Sequence, residues 1–284
     1  MTSERFRAFS FVDRITRCSD RHIEGQYTVP ASASRFPASL MAEAVGQLAA
    51  WAAMAELDFA WRPVAGIAAE TRYHRIAEPG QTLTLEADLA RCDADAVAYS
   101  GRALIDGVCA LELVDCVGPM LPMGEFDAPD AMRADFAMLC AAGAEAGRFT
   151  GVPAPRLVPI ERDAGRRLRA RLQVPGRDEV AYFADHFPRR PVFPGTLLLD
   201  AMAALSAEVA REAMPGQDGS ALMPSRVSNV KIRSFTTPGT ALELEIELLA
   251  VEGERAQLKL AARNDGKTIA TGRIEMVPAA KLPR

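Results

Sequence analysis

Two stretches of the chain, Ala38 to Leu57 and Thr196 to Ala213, are apolar on most faces and rich in Ala, Leu and Met. Segments of that length and composition predict helices covered on nearly all sides by other structure. Strict alternation follows each of them. Leu83, Leu85, Ala87 and Leu89 alternate with polar residues in the first case, and Leu242, Leu244, Ile246 and Leu248 in the second. A period of two predicts strands with one buried face. Asp106-Gly107 and Asp265-Gly266 stand between apolar runs and predict hairpin turns. One more alternating run, Leu168, Ala170, Leu172 and Val174, precedes the second helix.

The two patterns are copies of one unit. Phe36-Pro37-Ala38-Ser39-Leu40-Met41-Ala42-Glu43-Ala44 is repeated as Phe193-Pro194-Gly195-Thr196-Leu197-Leu198-Leu199-Asp200-Ala201, 157 positions on. Pro79-Gly80-Gln81-Thr82-Leu83 returns as Pro238-Gly239-Thr240-Ala241-Leu242, and Asp106-Gly107 as Asp265-Gly266, both at an offset of 159. Three anchors in one order at nearly constant spacing establish an internal repeat. One buried helix against an antiparallel sheet, twice over, predicts an α+β fold of two tandem modules. The expected boundaries are residues 1–120 and 154–284. Between them lies a connecting segment, 121–153, rich in Pro, Gly and Ala, where Asp130 to Ala142 allows a short helix.

Composition narrows the function classes. The chain has 284 residues, 49% hydrophobic and 25% charged, with a net charge of −4. That balance gives no reason to expect nucleic acid or an anionic membrane as partner. The run Arg166, Arg167, Arg169 and Arg171 reads as a solvated strand face. Five cysteines, Cys18, Cys92, Cys109, Cys116 and Cys140, without C-x-x-C spacing, argue against a disulfide framework or a metal site and suit a reducing cytoplasm. Phe36 to Ala55 is about long enough to span a membrane, but Glu43 and Gln47 lie in its middle, which favours a buried helix over membrane insertion. The polar, charged N-terminus has no signal-peptide pattern. A cytoplasmic location is expected.

The sharpest motif is His186-Phe187-Pro188-Arg189-Arg190-Pro191-Val192-Phe193-Pro194-Gly195, continuing to Asp200, fourteen positions after the histidine. It resembles the active-site motif of the 3-hydroxyacyl-(acyl carrier protein) dehydratases of bacterial fatty-acid biosynthesis. There His-Phe-Pro is followed by Pro-x-x-Pro-Gly and then by an acid at that spacing. The resemblance extends over Ile23 to Val117 and Leu157 to Val277. It implies a hotdog fold, here a fused double hotdog acting as an intrachain pseudo-dimer, with higher oligomers left open. It implies active sites shared between units, the histidine and helix-start glycine from one and the acid from the other. No cofactor and no metal are implied, and acyl carrier protein is the implied partner.

Carried across, one site is complete: His186 as base, Gly195 offering backbone N–H to the thioester oxygen, Glu43 as acid, and Gln47 one turn on as support. Glu43 is the only charged residue between Arg35 and Glu56, so its ionised form would be costly in an apolar helix. The reciprocal site has Val29 where the family has histidine, Ala38 where it has glycine, and Ala204 one turn after Asp200. Asp200 is expected to be a relic or a structural hydrogen-bonding residue, and is the alternative acid if sites form within modules. The plan also resembles the double-hotdog dehydratase domains of polyketide synthases, with the order of histidine and acid reversed. The expected reaction is dehydration of a 3-hydroxyacyl thioester of carrier protein or CoA to the 2-enoyl thioester. A non-catalytic acyl-binding or scaffolding double hotdog and a hotdog thioesterase are the alternatives. Arg189, Arg190, Lys231 and Arg233 are candidates for the carrier-protein docking patch, and His22 and His74 for surface residues.

Overall fold

The computed structural model describes residues 8–19, 21–145, 149–214 and 221–282. The first seven residues of the expected first module and the last two of the second thus lie outside the described residues, as do 146–148 of the connecting segment.

The first repeat forms β1 (Arg14–Ser19), β2 (His22–Thr28), helix α1 (Ala38–Glu56), β3 (Trp61–Pro63), β4 (Ile67–Tyr73), β5 (Thr82–Cys92), β6 (Ala96–Ile105) and β7 (Val108–Pro122). The second forms β8 (Arg156–Asp163), β9 (Arg167–Gln173), helix α3 (Gly195–Ala213), β10 (Leu222–Ile232), β11 (Ala241–Glu252), β12 (Arg255–Asn264) and β13 (Lys267–Pro278). Between them runs helix α2 (Pro129–Cys140), in the region where the sequence allows a short one.

All these strands belong to one thirteen-stranded antiparallel arrangement, ordered β1-β2-β5-β6-β7-β4-β10-β13-β12-β11-β9-β8, with β3 paired to β7 off that path. The order is palindromic. Read from either edge inward, each repeat lays down its strands in the same sequence, so a pseudo-twofold runs through the β4–β10 seam. Backbone pairing there, from Arg226 opposite Arg72 to Lys231 opposite Ile67, makes the sheet continuous between repeats.

The predicted alternation becomes the inner face of that sheet. Leu83, Leu85 and Ala87 on β5, and Leu242, Leu244 and Ile246 on β11, are fully buried, and their polar neighbours face out. Both hairpin turns place Asp and Gly at positive φ, 54° and 78° at Asp106-Gly107 and 47° and 76° at Asp265-Gly266. Two successive positive values define the type I′ turn that matches strand twist. Helix α1 packs on β2, β5, β6 and β7, α3 on β9 to β13, and the two helices touch each other. The outer face carries the charge. Arg167 and Arg169 pair with Glu161, and Arg169 also with Glu243. His22 bonds Asp88 and Glu24 at 2.7 and 3.0 Å, and His74 bonds Glu112 at 3.0 Å. Among the described residues no helix is long and apolar enough to cross a membrane.

Candidate active site

A cavity of about 240 Å³ lies where the two central helices meet, and Glu43, Gln47, His186, Gly195 and Thr196 all line it. Residues from both repeats therefore face one space.

His186 sits just after a short 3₁₀ turn, Ala181–Ala184, which ends as its N–H reaches back to the Tyr182 carbonyl at 2.9 Å. Its Nδ1 lies 2.7 Å from the Val192 carbonyl oxygen. A carbonyl only accepts, so Nδ1 carries the proton and Nε2 is the nitrogen able to take one. The next residue, Phe187, has φ of 63°. A bulky side chain rarely adopts that left-handed conformation, and here its surroundings hold it. Phe126 packs on the Phe187 ring with centroids 4.9 Å apart, and the Arg62 guanidinium lies 4.9 Å from the ring centre. Arg62 in turn pairs with Asp127 at 2.7 Å.

Gly195 opens α3 after Pro194, and no side chain caps this helix. Leu197 and Leu198 N–H both turn to the Pro194 carbonyl at 3.1 Å, which leaves the Gly195 and Thr196 N–H groups without an intrahelical acceptor, so they and the helix dipole are available to a developing negative charge. The protein itself leaves room for a larger residue here. A Cβ on Gly195 would meet only the Ile232 side chain, Cγ1 at 3.6 Å and Cδ1 at 3.7 Å, which is ordinary contact.

Glu43 projects from α1 and is half-buried. It is the one charge in its apolar stretch, and both its oxygens are engaged: Gln47 Nε2 donates to Oε1 at 3.0 Å and Thr196 Oγ1 donates to Oε2 at 2.8 Å. Gln47 lies one turn beyond Glu43 on α1 and faces it. Thr196 was not singled out in the sequence, though it directly follows the helix-start glycine. Phe9 was also missed. Its ring lies 5.3 Å from the His186 ring, and it belongs to no periodic segment that would draw attention to it. Tyr99 lines the same cavity, and burial holds its phenol well above the ordinary value.

The reciprocal position is built differently. Val29 is fully buried and Ala38 begins α1. Arg35 occupies the place that Val192 has in the repeat, and its Nη2 donates to both Asp200 oxygens, at 2.6 and 2.7 Å. Burial raises the Asp200 carboxyl above its usual value, and Arg35 draws it back down. Asp200 does not line the cavity that holds His186.

Residues 156–273 match the model of the FabA-like domain. The chain is 36% identical over 106 residues to the 3-hydroxyacyl-(acyl carrier protein) dehydratase FabZ of Enterococcus faecalis, covering 37% of this chain and 73% of that enzyme. It is 35% identical over 94 residues to the FabZ of Moorella thermoacetica, spanning 33% of this chain and 64% of that one. Among solved structures, the dehydratase domain of PpsC from Mycobacterium tuberculosis superimposes over 95% of this chain and 99% of its own, with a TM-score of 0.53 at 16% identity. An acyl-ACP thioesterase from Bacteroides thetaiotaomicron does so over 90% and 98%, with a TM-score of 0.53 at 8% identity. At such identities these two likenesses speak for the fold alone. The double hotdog expected from the sequence is the fold of this chain.

Proposed function

This chain belongs to the 3-hydroxyacyl-(acyl carrier protein) dehydratase family, and from that premise we propose that it removes water from a 3-hydroxyacyl thioester at one composite site. The observation that carries the reading is the meeting of His186, from the second repeat, with Glu43, from the first, around one cavity that also takes in Gly195.

The chemistry divides among these groups as follows. With Nδ1–H held by the Val192 carbonyl, His186 Nε2 takes the proton from C2 of the substrate. Negative charge then develops on the thioester oxygen, which the backbone N–H groups at the start of α3 receive. Protonated Glu43 gives its proton to the hydroxyl leaving C3, so that water departs and the C2–C3 double bond forms. Thr196 suits both protonation states. Its hydroxyl donates to the carboxylate, and by rotating can accept from the carboxylic acid. Asp200, committed to Arg35, has no part in this scheme.

Acyl carrier protein is the proposed carrier of the substrate. Of the four candidate docking residues, Arg190 pairs with Glu125 at 2.8 Å, and Arg189 donates to the Gly124 and Asp127 carbonyls at 3.1 and 3.2 Å. Lys231 and Arg233 are exposed on and just beyond β10. Incubation with 3-hydroxyacyl thioesters of carrier protein and of CoA, followed by mass spectrometry, tests the reading. The 2-enoyl thioester is expected. Free acid would mark a thioesterase, and unchanged substrate a binding or scaffolding protein.

A further inference from the structure

The chain ahead of β1 belongs to no predicted element, yet residues 8–11 hold both halves of the proposed site. The N–H groups of Ala8 and Phe9 donate to Asp185 Oδ2 at 2.8 and 2.7 Å, and Asp185 immediately precedes His186. The same segment grips the other half through Gln47. The Phe9 carbonyl accepts from Gln47 Nε2 at 3.1 Å, and Phe11 N–H donates to Gln47 Oε1 at 2.8 Å. A glutamine amide can otherwise turn over and exchange its oxygen with its nitrogen. A carbonyl on one side and an N–H on the other permit a single orientation, which points Nε2 at Glu43 Oε1, 3.0 Å away. The Phe9 ring, 2% exposed, stands edge-on to the His186 imidazole, with an interplanar angle of 75°.

We infer that Phe9 is a positioning residue for the elimination. Its main chain sets the Gln47 amide and hence the direction of the Glu43 carboxyl, and its ring fixes the plane of the His186 imidazole. The inference rests on the reading of His186 and Glu43 as base and acid. A leading segment that touches the loop of one repeat and the helix of the other ties the two groups to a common reference. Proton transfer at both ends of one C–C bond requires that.

Phe9→Leu keeps most of the apolar volume and all of the backbone contacts while removing the ring, and Phe9→Tyr keeps the ring. In the full chain, Phe9→Leu is expected to lower kcat about 10- to 100-fold, the scale of a misplacement near 1 Å, with KM changed by less than about threefold. Its kcat–pH profile should shift, and Phe9→Tyr should recover most of the loss. Gln47→Leu should lower kcat similarly, and the Phe9→Leu/Gln47→Leu pair should lose less than the product of the two. The His186 imidazole resonances of isotope-labelled protein should move in Phe9→Leu whether or not a substrate turns over. Wild-type kcat and unmoved resonances in a folded Phe9→Leu protein overturn the inference, as does a loss explained by unfolding at the assay temperature. Failure of the wild type to form enoyl product strikes the functional reading instead, and the resonances then decide the positioning claim alone.

Discussion

Thr196 Oγ1 donates to Glu43 Oε2 at 2.8 Å, joining the first turn of α3 to the second turn of α1. The repeat offers the mirror pair, Ser39 and Asp200, but that bond is not made. Ser39 Oγ is buried with no hydrogen-bond partner among the described residues, and Asp200 is held by Arg35. The two halves of a nearly symmetric fold have thus taken different polar partners at the same position.

Thr196→Val removes the hydroxyl and keeps the shape. Loss of one hydrogen bond to a half-buried carboxyl should cost about 1 kcal/mol of stability. Activity should fall by about tenfold, because an acid held from one side only is less well aimed. Thermal melts and steady-state rates measured together check both. An unchanged rate would take Thr196 out of the proposed machinery.

Much of the fold could be read from periodicity. The inward residues alternate from Leu83 to Leu89 on β5 and from Leu242 to Ile246 on β11, and the Asp-Gly turns have little choice of conformation. Of the residues that line the cavity, His186 and Gly195 could be picked out from the motif and Glu43 from its repeat. The site was not legible where the contact is made by main chain. Phe9 acts partly through its backbone N–H and carbonyl, which every non-proline residue has, and its ring belongs to no periodic segment, so no side-chain pattern announces it. Arg35 escaped for another reason. Its partner is 165 positions away in sequence, and only the folded seam brings the two together.

His186→Ala and Glu43→Gln should each reduce the dehydration rate by about 10²–10⁴-fold, the usual worth of a positioned base or acid. The double variant should lose much less than the product of the two, since each group needs the other to complete one elimination. A multiplicative loss would mean that they act in separate steps.

Arg35 and Asp200 predict a stability effect without a catalytic one. Asp200→Asn leaves the guanidinium facing a neutral amide and should destabilise the chain by roughly 1–3 kcal/mol, discounted from a fully buried pair because Arg35 is partly exposed. Replacing both with Met and Leu should recover most of that loss. The folded Asp200→Asn protein should keep most of its activity. If it is inactive at full folded fraction while Glu43→Gln turns over normally, then Asp200 is the acid.

Gly195→Ala separates helix from ligand. The added methyl meets only Ile232 at ordinary distance, and alanine is the better helix former by up to about 1 kcal/mol in a helix interior, less at this first position. The melting temperature should hold or rise slightly. Affinity for a thioester substrate or analogue should fall, because the methyl enters the space where the thioester oxygen approaches the helix start. A variant that binds and turns over like wild type would show that the oxygen does not sit there.

Asp13 predicts the pH dependence of stability. Its Oδ2 accepts from Thr28 N–H at 2.7 Å, which favours the charged form, but burial is the larger effect and pushes the carboxyl up from 3.8 to about 6. Between those two values the folded chain binds a proton that the unfolded chain has released. Stability from this group is therefore fully present below about pH 4 and is lost as pH rises through about 6, a contribution of up to roughly 3 kcal/mol at 1.36 kcal/mol per unit. Asp13→Asn keeps an oxygen for the Thr28 N–H and carries no charge to bury. Denaturant melts from pH 4 to pH 8 should show the variant gaining on wild type across this window and staying ahead above it. If the two curves run parallel, the Asp13 carboxylate is not desolvated in the folded chain.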